Sequence, residues 1–306
     1  MRCSFCGKAS VYHRRNEGHH YCEDHFTRSI EKRVRNTIRE NNLVGKKDKI
    51  AVALSGGKDS STTIYLLKKI LKNNPNIEII GITVDQGFGC VTEYDAAYAA
   101  QLCKDLGVEH YMFSFKEEFG KTVKEILKKN PKSSYCAVCG VLRRHIINKK
   151  VRGLGCTKLA TGHNLDDEAQ SILMNILKGD MLRLVRVGAM PMIARNPKFV
   201  PRIKPLINVP EEEVILFAKI NKIRHSSQKC PYRKFNTLRG ETIEYLDKME
   251  KNSPGIKHSL LESALKLKPY LEKQFKKDSI RLCEKCQEPA SKKICKTCDV
   301  LGGVPS

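Results

Sequence analysis

The sequence predicts an α/β fold: a doubly wound parallel sheet framed by a small cysteine-rich module at each end. Three observations carry that reading. Short apolar runs alternate with longer amphipathic stretches between residues 49 and 178, the pattern of buried parallel strands joined by crossover helices. A doubled glycine, Gly56-Gly57, falls where the first such strand meets its helix. Cysteine pairs stand at both termini, Cys3-x2-Cys6 with Cys22-x2-His25 and Cys283-x2-Cys286 with Cys295-x2-Cys298.

The N-terminal set has the spacing of a tetrahedral Zn²⁺ site, and a closed four-ligand site of this kind is structural. His13, His19 and His20 lie between its halves and compete with His25 for the fourth place. Ile30, Val34 and Ile38, four apart, predict an amphipathic helix over 27–41. Residues 49–54 (KIAVAL) read as the first buried strand, and Ile64, Leu67, Lys68 and Leu71 as one face of a helix over 60–72. A second strand, 77–84, ends at Val84-Asp85. A helix over 92–106, a strand over 108–113, a helix over 117–129, a basic helix over 141–153 and a strand over 157–161 follow. Gly162-His163-Asn164-Leu165-Asp166-Asp167-Glu168 closes that strand and opens a helix reaching residue 178, with Asn164 as cap and the acids in its first turn. Helices over 211–221, 239–251 and 256–275 lead to the second cysteine set, which has the spacing of a compact zinc ribbon. The expected organisation is therefore a finger (1–26), a linker helix (27–48), a catalytic domain (49–235), a basic helical region (236–279) and a ribbon (280–306). Leu301-Gly302-Gly303 reads as a flexible end.

Composition narrows the partners. A formal net charge of +23 calls for a polyanion, nucleic acid first. The excess is uneven: residues 126–165 and 181–210 contain no Asp or Glu, yet carry Arg143, Arg144, Arg183, Arg186 and Arg202 among others. Lys229, Arg233 and Lys234 are further candidates to meet RNA phosphate. No run approaches the length of a membrane span and no apolar signal region opens the chain, so a cytoplasmic protein is expected. Thirteen cysteines in a reducing compartment argue for metals over disulfides. Trp is absent and aromatics are few, which speaks against broad stacking platforms for RNA.

The chemistry centres on Ala53-Leu54-Ser55-Gly56-Gly57-Lys58-Asp59-Ser60. Glycines at a strand-to-helix turn let backbone N–H groups close on a ligand, and the helix N-terminus favours phosphate. Ser55, Ser60 and Lys58 add donors. The Walker A pattern is not met, because Val52 and Asp59 stand where it needs glycine and Ser/Thr. Asp59 is expected to cap the helix or to hold Mg²⁺. Ligands in such folds gather at the carboxyl ends of the strands, which brings Ser55, Asp85 and Gly162 together. Asp166 and Asp167 either complement the helix dipole or hold Mg²⁺ beside a triphosphate, and one of them could orient the attacking group. Cys136-x2-Cys139 with Cys230 makes a three-thiolate set with one position open; a cluster and a catalytic disulfide both suit it. Cys90 is the main competitor, whereas Cys103 and Cys156 should be packed.

SGGKDS resembles the pyrophosphate loop of the PP-loop ATP pyrophosphatases, which have an adenine nucleotide α-hydrolase-like core. Together with the CxxC, the GHNLDDEAQ stretch, Cys230 and both fingers, in that order, the chain resembles the TtcA/TtuA group of PP-loop tRNA thiolases. The likeness runs from Cys3 to Cys298 and is strongest to the TtuA/NcsA branch, whose members carry both fingers. It implies an ATP-dependent tRNA uridine 2-sulfurtransferase that splits ATP into AMP and pyrophosphate. The wobble anticodon position is expected as target ahead of the T-loop position. The implied ATP site is 53–60 with Val84, Asp85, Arg143, Gly162, His163 and Asp167; Arg143 occupies a place where the family has lysine. The implied catalytic set is Cys136, Cys139 and Cys230, binding a 4Fe–4S cluster, with Asp59, Asp166 and Asp167. Cofactors are ATP, Mg²⁺, the cluster and two Zn²⁺. Partners are tRNA and a sulfur donor, either a ubiquitin-like thiocarboxylate carrier or free sulfide, with a homodimer as a possible assembly. The rivals are another PP-loop adenylating enzyme (an amide ligase or lysidine synthetase) and a non-catalytic zinc-finger RNA-binding protein.

Overall fold

In this computed structural model the described residues are 1–302 without 88–89, 129–133, 192–195, 229, 231, 233–236 and 275–279; of 90–92 only the backbone is described. Lys229, Arg233, Lys234 and Gly303 thus lie outside the described residues. The chain opens with an antiparallel hairpin, β1 (Tyr12–Arg14) and β2 (His19–Tyr21), in which His13 faces His20 and their rings stack at 4.1 Å. Helix α1 (Glu23–Glu40) begins ahead of the expected residue 27, with Glu23 and Asp24 at the positive end of its dipole, so His25 lies in its first turn. Ile30, Val34 and Ile38 are buried, as their spacing requires.

Next come β3 (Asp48–Ala53), α2 (Lys58–Leu71), β4 (Ile77–Asp85), α3 (Cys90–Asp105) and β5 (Glu109–Ser114). The single helix expected over 117–129 is two pieces, α4 (Phe115–Phe119) and α5 (Val123–Lys128). Gly120 takes a left-handed φ of 66° and ends the first. Helix α6 (Tyr135–Gly153) starts well before residue 141, because Ser134 caps it by accepting from the Ala137 amide. After β6 (Lys158–Ala160), Asn164 and Asp167 form a capping box at the start of α7 (Leu165–Leu177). A short α8 (Met181–Leu184) and the strand β7 (Arg202–Ile203) were not expected; β7 is too brief to leave a periodic signal. Then follow α9 (Glu211–Ile220), α10 (Leu238–Asn252), α11 (Ile256–Gln274), the ribbon strands β8 (Arg281–Leu282) and β9 (Pro289–Ala290), and α12 (Lys296–Val300).

The central sheet has the order β5-β4-β3-β6-β7 and is parallel throughout. Its two-residue period divides the core. Ile50 and Val52 pack with Phe26, Ile64, Leu67, Ile172 and Phe217 on one face. Ala51 packs with Ile80, Ile82 and Val151 on the other. Both ends of the chain are fastened to this core. Glu213 of α9, almost wholly buried, accepts from Arg14 Nε (2.6 Å) and Arg33 (2.8 Å). At the other end Arg152 of α6 pairs with Glu288, and Lys198 donates to the Gln287 carbonyl at 2.7 Å. Val300 is buried among Val138, Cys139 and Leu142, with Leu301 packed alongside. The tail read as flexible is therefore docked at least to Leu301, because two apolar side chains find a hydrophobic seat on α6. Among the described residues no helix is long and apolar enough to cross a membrane.

Candidate active site

The strand order reverses direction at β3–β6, and the carboxyl ends of these strands open a cavity of about 390 Å³. The loop after β3 forms its floor. Gly56 has φ 75°, and a Cβ there would fall 2.4 Å from the Asp95 carbonyl oxygen, so only glycine fits. Ser60 Oγ donates to the Gly57 carbonyl at 3.0 Å and accepts from the Ser55 amide at 3.2 Å, closing the loop on itself. Gly162, after β6, meets the start of α2 so closely that a Cβ would lie 2.7 Å from the Ser60 nitrogen. The strands thus bring together what the sequence separates. Ala53, Leu54, Ser55, Asp59, Ser60, Val84, Arg143, Gly162, His163 and Asp167 all line the cavity. Gly56 and Gly57 shape the turn without lining it. Lys58 is held between Asp59 (3.1 Å) and Glu211 (2.5 Å), and Asp85 accepts from the Gly87 amide at 2.8 Å.

The three aspartates divide. Asp59 accepts from Asn164 Nδ2 at 3.1 Å; it is not the helix cap, which is Gly57. Burial, together with the charges of Asp59 and Glu211, pushes the Asp167 carboxyl above its ordinary range, against the Asn164 amide and Arg239. Asp166 does not line the cavity: Lys257 and the Glu211 amide (2.7 Å) engage it. His163 lines the cavity and is exposed, with Nδ1 2.9 Å from Thr161 Oγ1. Burial first, and then Lys204, Arg202 and Arg239, push its pKa down to about 4, so the ring is neutral near pH 7.

Sequence reasoning missed Arg202 and the cavity-facing position of Arg144. Burial lowers the pKa of both, and Arg144 also feels Arg143 while Arg202 feels Arg144. Their signal was the acid-free run on which each stands. Gln86, next to the expected Asp85, also lines the cavity.

The cysteines expected in loops are partly on a helix. Cys136 and Cys139 occupy the first turns of α6, because the Ser134 cap starts that helix before them. Cys139 Sγ donates to Gln86 Oε1 at 3.5 Å, which sets this thiol beside the cavity wall. Burial pushes the Cys139 thiol up, Arg143 pulls it down, and Cys230 and Cys136 push it up again. Cys230 approaches through two contacts of its own loop. Ser226 donates to the Gly56 carbonyl at 2.8 Å, and the Tyr232 ring stacks on Tyr135 at 3.8 Å and 3°. Cys103 and Cys156 are buried, and burial raises each to about 11, which fits packed, inert thiols. The Cys90 side chain lies outside the described residues.

Both terminal sets suit zinc. In Cys3, Cys6, Cys22 and His25, and again in Cys283, Cys286, Cys295 and Cys298, the four donor atoms lie within 4.8 Å of one another. Cys6 Sγ to Cys22 Sγ is 3.7 Å and Cys286 Sγ to Cys295 Sγ 3.6 Å, near the edge of a tetrahedron about a cation with bonds of about 2.3 Å. His25, and not His13, His19 or His20, completes the first set. Although burial opposes it, backbone N–H groups of Phe5, Cys22 and Cys6 pull Cys3 down to about 6; those of Cys295, Cys286 and Lys285 do the same for Cys283. Burial first and then the Cys286 and Cys295 thiols hold Cys298 up, while Cys6 is pulled down by the Lys8 backbone and pushed up more by burial and the Cys22 and Cys3 thiols, so a cation would favour the full thiolate set in each module. Cys136, Cys139 and Cys230 form no such tight group. Cys136 and Cys230 lie near enough to act on the Cys139 thiol without the closeness of a single-ion site, a donor set that suits a cubane, whose ligands sit on separate irons.

A family profile described as the PP-loop domain matches residues 22–244. The chain is 32% identical to the tRNA 2-thiolation protein NcsA of Haloferax volcanii, with 99% of both chains covered. It is 35% identical to the tRNA-5-methyluridine(54) 2-sulfurtransferase of Pyrococcus horikoshii, covering 99% of this chain and 94% of that one. The solved U34-tRNA thiolase NcsA from Methanococcus maripaludis, with its 4Fe–4S cluster, superposes with a TM-score of 0.87 at 34% identity, over 100% of this chain and 97% of that one. On its loop, its cavity and these likenesses, the chain belongs to the PP-loop family, in the branch of the tRNA 2-thiolation proteins.

Proposed function

We propose that the protein is an ATP-dependent tRNA uridine 2-sulfurtransferase. The observation that carries this reading is the meeting, at one cavity, of the Ser55–Ser60 loop with Arg143 and with Gln86, the partner of the Cys139 thiol. The triphosphate of ATP lies over the loop, whose amides, hydroxyls and helix dipole stabilise charge on the leaving pyrophosphate. Asp59 and Asp167, both lining the cavity and close enough for Asp59's charge to act on Asp167, would hold Mg²⁺, which would offset the charge of the phosphates. Asp166 instead fastens α7 to α11 through Lys257. Arg143 neutralises the α-phosphate in the place of the family's lysine, and His163 stays neutral, donating or accepting without adding charge.

The uridine O2 attacks the α-phosphorus and the bond to the bridging oxygen breaks, so pyrophosphate leaves. Sulfur then adds at C2 and the C2–O bond breaks, releasing AMP; no atom in the base changes its net oxidation level. Bound by Cys136, Cys139 and Cys230, a 4Fe–4S cluster would supply an iron without a protein ligand to carry that sulfur. Two zinc ions complete the terminal modules. The donor is a ubiquitin-like thiocarboxylate carrier or free sulfide, the assembly a homodimer and the compartment the cytoplasm.

The wobble uridine is the favoured target, in line with the U34 thiolase that spans the whole chain. Position 54 is the second reading, favoured by the Pyrococcus relative. Incubating anaerobically reconstituted protein with tRNA, ATP and sulfide tests both. AMP, pyrophosphate and 2-thiouridine are expected, and nuclease mapping locates the base. ADP and phosphate as main products would sink the adenylation half. Thiolation by iron-free protein would sink the cluster half.

A further inference from the structure

A second and larger cleft, about 890 Å³, runs between α6 and the C-terminal ribbon. Arg144 and Arg202 stand in its wall and in that of the ATP cavity as well, so the two spaces share a boundary. Arg186, Lys292 and Lys293 add three more cations. The cleft has two carboxylates, and both are already neutralised: Glu288 holds Arg152 and Asp299 holds Lys296 at 2.6 Å. None of the five cations has a carboxylate partner among the described residues. Arg144 and Arg202, partly desolvated where the two spaces meet, are costly to keep charged without an anion, and Arg144 adds its repulsion to Arg202. Phe199, half-buried in the same wall, offers one aromatic face.

We propose that this cleft carries the strand of the RNA substrate that leads to the reacting nucleotide. Its phosphates lie on Arg186, Lys292 and Lys293, one base lies against Phe199, and Arg144 and Arg202 pass the next nucleotide into the adenylation cavity. A single phosphate would leave most of these cations unmatched; a polynucleotide strand matches them in series. The inference rests on the sulfurtransferase reading above and adds the path by which the RNA arrives.

The test uses zinc-loaded, full-length protein and measures tRNA affinity across a salt series, with ATP affinity, zinc content and melting as controls. Lys292 and Lys293 do not line the ATP cavity. Losing two strand contacts in Lys292→Gln/Lys293→Gln should make the plot of log K against log salt shallower by about 1.4, and weaken binding roughly 20-fold at 0.1 M salt. ATP affinity should be unchanged. If that variant loses zinc, Arg186→Gln, just after α8 and away from the ribbon, should still flatten the slope by about 0.7. Folded variants with the wild-type slope and affinity overturn the cleft and leave the enzymatic reading intact. A wild-type protein that binds no tRNA overturns both.

Discussion

Gly162→Ala tests how the phosphate loop is held. The added methyl would fall 2.7 Å from the Asp59 carbonyl carbon, 2.7 Å from the Ser60 nitrogen and 2.9 Å from the Asp59 oxygen, all backbone atoms that cannot swing aside. Ordinary contact begins near 3.4 Å, so the loop after β6 and the start of α2 must part by about 0.7 Å (3.4 − 2.7). Overpacking of this kind costs about 1–3 kcal/mol of stability. Its effect on chemistry should be larger in proportion, since a displacement of about 1 Å at a reacting group lowers rates by about 100-fold. A fall of at least about tenfold in tRNA-dependent pyrophosphate release is therefore expected, read by a coupled phosphate assay beside ATP titration calorimetry. Gly153→Ala is the control: at the end of α6, with nothing within 4 Å of the new methyl, it should keep activity and melt no lower. A Gly162→Ala protein with wild-type ATP affinity and pyrophosphate release would refute the argument.

Three further outcomes are expected. Glu213→Gln takes from Arg14 and Arg33 the buried carboxylate they share and leaves them the half-exposed Glu17, so it should cost about 1.5–3 kcal/mol in urea unfolding; a loss under about 0.5 kcal/mol would mean that the finger is fastened elsewhere. Tyr232→Ala removes a ring stack of about 0.5–1.5 kcal/mol that holds the Cys230 loop, so iron per chain should fall while Tyr232→Phe keeps it; equal iron in both would dismiss the stack. His163 titrates at about 4 in the fold against an ordinary value of 6.5, so the unfolded chain takes up its proton first as pH falls. Its share of stability is complete above about 6.5 and is lost as pH falls towards about 4. His163→Asn should flatten the melting temperature across that window, and an unchanged pH dependence would show that another group governs it.

The strand–helix order of the core was legible because long buried strands and amphipathic helices leave periodic traces, as Ile50, Val52 and Ala51 show by dividing between two faces. The seven cysteines of the terminal sets were legible from spacing, whereas His25 was told from His13, His19 and His20 only by the fold. Three further things were not. Asp166 and Asp167 are adjacent and chemically identical, and only the tertiary partner Lys257 separates their roles. Arg202 enters the site from a two-residue strand with no pattern of its own. The start of α6 depended on Ser134 as a cap, a signal of one residue that the flanking cysteines obscured as a loop.

The seat of Val300 on α6 gives the protein an order of assembly. Val138, Cys139 and Leu142 are covered by Val300, a residue of α12 more than 150 positions further along the chain. Until the ribbon folds, the inner side of the CxxC helix is bare. The wall behind Cys139 closes only once the ribbon has folded α12 into place. Folding of the ribbon therefore comes before a sheltered Cys139, and a chain truncated ahead of α12 exposes that thiol whatever the state of its core.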